Sequence, residues 1–154
     1  MKRGLSILSA TAAISVLFCM GCSANAHKTT PEIVGEVVSN IYWSDGDSGR
    51  LDGVKFRLAN VDAPETGSLK QRGGAKCESE RAIGYEAKAY LVSLTKEASV
   101  KVERDYGYDR YDRLVVDLSI EGKDLGRLAI QAGHLAAWPH RNGRQLMPKP
   151  DWCK

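Results

Sequence analysis

The chain has 154 residues and a formal net charge of +3, a length that fits one domain. Two of its 22 basic residues, Lys2 and Arg3, open an export-type segment; without them 20 face 19 acidic residues, and the net charge falls to about +1. That excludes nucleic-acid binding by a global positive field, so any such partner has to be held by a local arrangement of cations.

Lys2 and Arg3 begin a short positive stretch, Leu5 to Met20 carries no charge, and Ser23-Ala24-Asn25-Ala26 offers a cleavage site before His27. This is the layout of a secretory signal peptide over 1–26. The apolar run falls short of the roughly 20 residues a membrane span needs. A lipoprotein with Cys22 as the lipidated residue is the less favoured alternative, because Cys19 stands where a lipobox has Leu. Cleavage before His27 makes the product secreted or periplasmic. About 128 residues remain, enough for one compact core. Cys77 and Cys153 are the cysteines left, and an even pair in an exported protein points to a disulfide tying the tail to the middle of the domain. Two free thiols are the alternative; a zinc site lacks the paired-cysteine spacing.

Residues 27–32 read as a disordered leader and 33–154 as the folded domain. Ile33 to Trp43 is rich in Val, Ile and aromatics and predicts a strand. Asp45-Gly46-Asp47-Ser48-Gly49 is a turn by composition, and Arg50 and Leu51 lead into a second turn at Asp52-Gly53. Val54 to Val61 predicts the next strand, with Phe56 and Leu58 on one face and Arg57 on the other. Thr66 to Lys76 is a basic, glycine-containing loop, either a solvated linker or a substrate contact. Ser79 to Lys96 predicts a helix, its apolar stripe carried by Ile83, Ala87, Tyr90, Leu91 and Leu94, with Glu78, Glu80, Arg81 and Glu86 mostly off it. Ser99 to Arg104 and Leu114 to Ile120 predict two strands. Asp124 caps a short helix from Leu125 to Ala132 that Gly133 ends. The tail from Arg141 shows no period. Three strands, a helix, two strands and a helix suit an α+β, mainly β class: a five-stranded OB-fold barrel with two to three packed helices.

The chemistry concentrates in Phe56-Arg57-Leu58-Ala59-Asn60-Val61-Asp62-Ala63-Pro64-Glu65-Thr66. A cation, a metal-type ligand and a candidate general base fall within nine residues, Arg57 to Glu65. Cutting a phosphodiester requires such parts: positive charge on the transition state, a base for water, and stabilisation of the leaving oxygen. Asp47 and Asp62 offer hard oxygen ligands for Ca²⁺ or a similar ion. Glu65 serves as the base, and Arg57 has the fork for a bidentate phosphate contact. Asp105-Tyr106-Gly107-Tyr108-Asp109-Arg110-Tyr111-Asp112-Arg113 offers a second clamp, with aromatics among arginines as stacking and phosphate contact require. An ordinary charged hairpin is the alternative there, and a metal-free turn at Asp45-Gly46-Asp47. An EF-hand is excluded, because the twelfth position counted from Asp45 is Phe56 rather than Glu.

These segments, with Gly84-Tyr85-Glu86-Ala87 and Gln131-Ala132-Gly133 in the same order, resemble the staphylococcal nuclease-like (thermonuclease) family from roughly Val34 to His140. The resemblance implies an OB-fold and Ca²⁺-dependent cleavage of DNA and RNA; the protein is expected to be a monomer. It places Arg57, Glu65 and Arg113 on the family's catalytic arginine, glutamate and arginine. Asp47 and Asp62 fall on its calcium carboxylates, and Ala63 on its backbone-carbonyl ligand. Arg110 and Tyr111 fall on its contacts to the terminal phosphate. Ser48 replaces the usual threonine, and Asp112 the usual glycine before the last arginine. If that position needs positive φ, Asp tolerates it better than most residues. Trp138, Pro139 and His140 stand where the family has base-stacking tyrosines. The tail is short for the family's last helix, an anchoring role that passes to Cys153. A non-catalytic nucleic-acid-binding OB module, the rival reading, would show loss of Arg57, Glu65 or Arg113; all three are present.

Overall fold

The structure, a computed structural model, describes residues 33–154. The expected signal peptide, Cys22 and the 27–32 leader lie outside the described residues.

Strands β1 (Ile41–Trp43), β2 (Ser48–Leu51) and β3 (Val54–Leu58) form an antiparallel meander. The β2–β3 turn is Asp52-Gly53, whose φ of 46° and 87° is the left-handed pair that joins twisted strands most readily. Next come β4 (Val61–Asp62), helix α1 (Glu78–Thr95), β5 (Val100–Tyr108), β6 (Leu114–Ile120), β7 (Lys123–Asp124) and helix α2 (Leu125–Gln131). Three two-residue strands follow: β8 (Ala136–Ala137), β9 (His140–Arg141) and β10 (Arg144–Gln145). The main sheet runs β1-β2-β3-β6-β5, with β7 beside β6. Its one parallel step, β3 to β6, sets Phe56 opposite Leu114 and Arg57 opposite Val115. Gly35 and Val38 donate to the carbonyls of Val102 and Val100, and Val102 donates back to Glu36. Those bonds join the chain just before β1 to β5, the other end of the sheet. Among the described residues, the mainly β class with two helices agrees with the expectation.

The core gathers the inward faces of the strands and one seam of α1. Trp43, Phe56, Leu91, Leu114, Leu118 and Leu125 are all buried in it. Trp43 and Phe56 meet edge to face at 5.1 Å, and the Trp43 indole donates to Thr95 Oγ1 at 3.0 Å. Burying the indole without that acceptor would leave a costly unpaired donor. Asp124 caps α2, accepting from Arg127 N, and Gly133 follows with φ 81°.

Five local expectations need correction. The strand expected over 33–43 is regular only at Ile41–Trp43; Gly35 turns with φ 88°, and Val34 and Val37 face solvent. The strand expected over Val54 to Val61 breaks at Asn60, which adopts φ 60° as Asn does more readily than most residues, so Val61 and Asp62 pair with β8 instead. Helix α1 buries Glu80 beside Gly84, Ala87, Leu91 and Thr95, although Glu80 was expected off the stripe; its backbone hydrogen bonds explain the burial. The tail contains a β9–β10 hairpin around Asn142-Gly143, a strand-turn signal that periodicity does not register. In addition, Asp105 to Tyr108 belong to β5, which leaves a turn only at 109–113.

Candidate functional site

The site begins with Asp45. Its Oδ1 accepts from Asp47 N at 3.1 Å, Ser48 N at 2.8 Å and Ser48 Oγ at 2.9 Å. This side-chain turn fixes the loop before β2 and leaves Asp47 buried. The hydroxyl of Ser48 thus stabilises the loop. Gly46 must lack a side chain, since a Cβ there would lie 2.9 Å from that of Ala63 and 3.0 Å from that of Ala87.

Alternation along β3 sends Phe56 and Leu58 into the core and Arg57 to the other face. There Arg57 grips Asp47 with both ends of its fork, Nη1 to Oδ1 at 3.1 Å and Nη2 to Oδ2 at 3.0 Å. The same Nη2 donates to the Val61 carbonyl at 3.0 Å and lies 3.7 Å from Asp62 Oδ1. The reversal at Asn60 therefore has a consequence for the site: it brings Asp62 back beside Arg57. Ala63 N donates to Asp47 Oδ2 at 3.1 Å. Asp47, Arg57 and Ala63 form one hydrogen-bonded cluster, with Asp62 ion-paired beside it.

Burial pushes the Asp47 carboxyl up to about 7, with Asp45 and Asp62 adding to the rise, against the pull of Arg57 and of the Ala63 N–H. Although Arg57 touches both oxygens, desolvation outweighs the pairing. Hard oxygen atoms on two adjoining buried carboxylates are the donor chemistry that suits a divalent ion such as calcium.

Glu65 follows Pro64 on the same turn. Its N–H donates to Glu80 Oε1 at 3.4 Å, while Lys76 N donates to Glu80 Oε2 at 2.6 Å. The buried Glu80 thus ties helix α1 to the backbone of Glu65. Gly84, one turn further on, lies directly beneath the Pro64 and Glu65 carbonyls. The Glu65 carboxylate accepts from Lys149 Nζ at 3.1 Å, and that ammonium is also 3.3 Å from Asp62 Oδ1. Partial burial lifts the Glu65 carboxyl above its ordinary value, against the pull of Lys149. The Trp152 indole donates to Asp62 Oδ2 at 2.9 Å. Cys153 is disulfide-bonded to Cys77, the N-cap residue of α1. Cys77, Glu80 and Cys153 group closely, but the two sulfurs are bonded to each other and offer no thiolate to a metal.

Arg113 lies outside this cluster, on the turn between β5 and β6. Its Nε and Nη2 donate to Asp109 Oδ2 at 2.9 and 2.7 Å, and its backbone N to Asp109 Oδ1 at 3.0 Å. Burial raises the Asp109 carboxyl, but the bonds from Arg113 and from Tyr111 N outweigh it, and the net shift is downward. Arg110 and Arg113 approach the Tyr111 ring at 4.9 and 5.3 Å. Asp112 takes φ 60°, the conformation in which a glycine would be expected and Asp is tolerated. The parallel step places Val115, two residues after Arg113, opposite Arg57. The Trp138 ring lies 5.6 Å from the Arg57 guanidinium and meets His140 edge to face.

A model of the family described as staphylococcal nuclease homologue matches residues 55–148, more than half of the chain. The chain belongs to the staphylococcal nuclease homologue family. The family's fold is the OB-fold, and the mainly β architecture agrees with it. The family is one of nucleases, which makes a nuclease-like function and a nucleic-acid substrate the reading for this member. A search of curated proteins gave no match. The matched span of this staphylococcal nuclease homologue holds Arg57, Asp62, Ala63, Glu65, Arg110, Tyr111 and Arg113; Asp47 precedes it, and Lys149, Trp152 and Cys153 follow it.

Lys149, Trp152, Glu80 and Asp109 were not singled out from sequence as site residues. The one signal that could have found the first two is Cys153: a tail tied to Cys77 must pass close to the turn that precedes α1.

Proposed function

We propose that the protein is an exported, calcium-dependent nuclease that hydrolyses phosphodiester bonds of DNA and RNA. The observation that carries this reading is the convergence of Asp47, Arg57, Asp62 and Glu65 on one turn-and-strand unit. Asp47, Asp62 and the Ala63 carbonyl would hold the calcium. The donor set fits: the ligands are hard oxygens, and the Lys149 ammonium already lies against Asp62 and Glu65, so the spot draws positive charge. Bound there, calcium would supply Lewis-acid polarisation of a phosphate oxygen.

The chain's own residues do the rest. Glu65 takes a proton from the attacking water, and its raised affinity for protons suits a base working near neutral pH. Arg57 and Arg113 donate to phosphate oxygens as charge builds on them. Arg57 is held in place by Asp47 and Arg113 by Asp109, so neither has to be ordered during the reaction. Arg110 and Tyr111 contact a further phosphate. The signal-peptide layout of 1–26 supports export to the periplasm or beyond, and the enzyme acts as a monomer.

Glu65→Gln tests the assignment. It keeps the side-chain volume and removes the base, and should lower the cleavage rate by about 10² to 10⁴. Single-stranded DNA binding and the unfolding midpoint should be unchanged. Cleavage at the wild-type rate would overturn the role of Glu65.

A further inference from the structure

We infer that the 147–153 segment is a built-in strap on the proposed calcium site, with the Lys149 ammonium as a tethered cation that calcium must displace. The inference rests on the calcium reading of Asp47, Asp62 and Ala63 and adds an occupant supplied by the chain itself.

Four observations converge. First, Lys149 Nζ bridges Asp62 Oδ1 at 3.3 Å and Glu65 Oε1 at 3.1 Å, one a proposed metal ligand and the other the proposed base. Second, the remaining oxygen of Asp62 is taken by the Trp152 indole at 2.9 Å, so the strap engages both sides of one carboxylate. Third, the strap is anchored at both ends. Trp138 Nε1 donates to the Met147 carbonyl at 3.1 Å, and Cys153 is covalently held to Cys77. Fourth, Pro148 and Pro150 flank Lys149 and restrict the backbone that presents it. A ligand held this way competes at an effective concentration of about millimolar or more, far above that of a free side chain.

The same contacts oppose the proposed chemistry. The Lys149 ammonium on Oε1 makes the Glu65 carboxylate a weaker base than it would be without that partner. A cation entering between Asp47 and Asp62 meets the positive charge of Lys149 next to that of Arg57. Moving the strap aside relieves both effects, and the disulfide limits how far it moves. Its contacts to Asp62 and Glu65 come from Lys149 and Trp152, which follow the span that matches the family.

The test is calcium binding by calorimetry on oxidised protein at constant pH, with three proteins: wild type, Lys149→Met and Cys153→Ser. Methionine keeps the stem and removes the charge. Serine frees the strap and keeps the charge, which separates displacement of the strap from simple repulsion. Both variants should bind calcium tighter than wild type, Lys149→Met by about fivefold, the upper end of what a partly exposed ion pair contributes. Lys149→Arg should stay within about threefold of wild type, since it keeps the cation. Equal or weaker calcium binding by Lys149→Met overturns the strap while the calcium reading stands. Absence of calcium binding in every protein, Lys149→Met included, overturns the calcium reading and the strap together. If Cys153→Ser does not fold, Lys149→Met with the disulfide intact decides alone.

Discussion

Gly84→Ala isolates the contact between helix α1 and the proposed base. A Cβ on Gly84 would lie 2.6 Å from the Glu65 carbonyl oxygen and 2.9 Å from the Pro64 oxygen, where ordinary contact begins at 3.4 Å. Relief therefore requires the Pro64–Glu65 backbone or the helix to shift by about 0.8 Å, the gap between those two distances. Two opposing terms set the stability. Alanine improves helix propensity by about 1 kcal/mol, and overpacking costs about 1–3 kcal/mol. The net loss is then about 0–2 kcal/mol, a modest shift in the urea midpoint. The effect on catalysis should be far larger. A displacement of about 1 Å at a positioned group costs on the order of 10²-fold in rate. Urea unfolding and initial rates on single-stranded DNA would be compared with Ser93→Ala, an exposed position on the same helix. A Gly84→Ala protein that is about 1 kcal/mol more stable and cleaves at the wild-type rate would refute the argument that α1 positions Glu65 through this contact.

Three further outcomes are expected. Reducing the Cys77–Cys153 bridge, whose ends are 76 residues apart, should lower stability by about 4 kcal/mol, read as an earlier urea midpoint. Asp109→Ala releases the guanidinium of Arg113 and should lower the cleavage rate by roughly tenfold or more, with little change in the circular dichroism spectrum. Calcium affinity should fall by about tenfold per pH unit below 7 and level off above it, because Asp47 then holds a proton that the ion must displace. Without calcium, Asp47 acts on stability in the opposite sense. The folded group keeps its proton up to about 7 while an unfolded aspartate loses it near 3.8, so its contribution to stability falls as pH rises between the two. Asp47→Asn should flatten both profiles in titration calorimetry and thermal unfolding.

Much of the fold was readable because it is written in short-range patterns. Period-two alternation at Phe56, Arg57 and Leu58 fixed which side chain leaves the core, and Asp124 and Gly133 marked the ends of α2. The Asp52-Gly53 turn carried its own backbone chemistry. What was not readable depends on partners distant in sequence. Val61 and Asp62 look like the end of a strand, and only the positive φ of Asn60 and the pairing with Ala136 and Ala137 move them to another sheet. Glu80 has the character of a surface residue on a helix, and its burial follows from two backbone N–H groups on the loop before α1. Candidate site residues on one short segment could be read together, as with Arg57, Asp62 and Glu65. Lys149 reaches the same carboxylates from 84 residues beyond Glu65, a separation at which no local pattern operates.

The most direct measurement of the central claim is digestion of single-stranded DNA and of RNA by the purified, oxidised protein in calcium, then in excess chelator, then with calcium restored. The account predicts cleavage of both polymers in calcium, its loss on chelation and its return when the ion is added back. Binding without cleavage in calcium, or cleavage that continues undiminished in chelator, would contradict it.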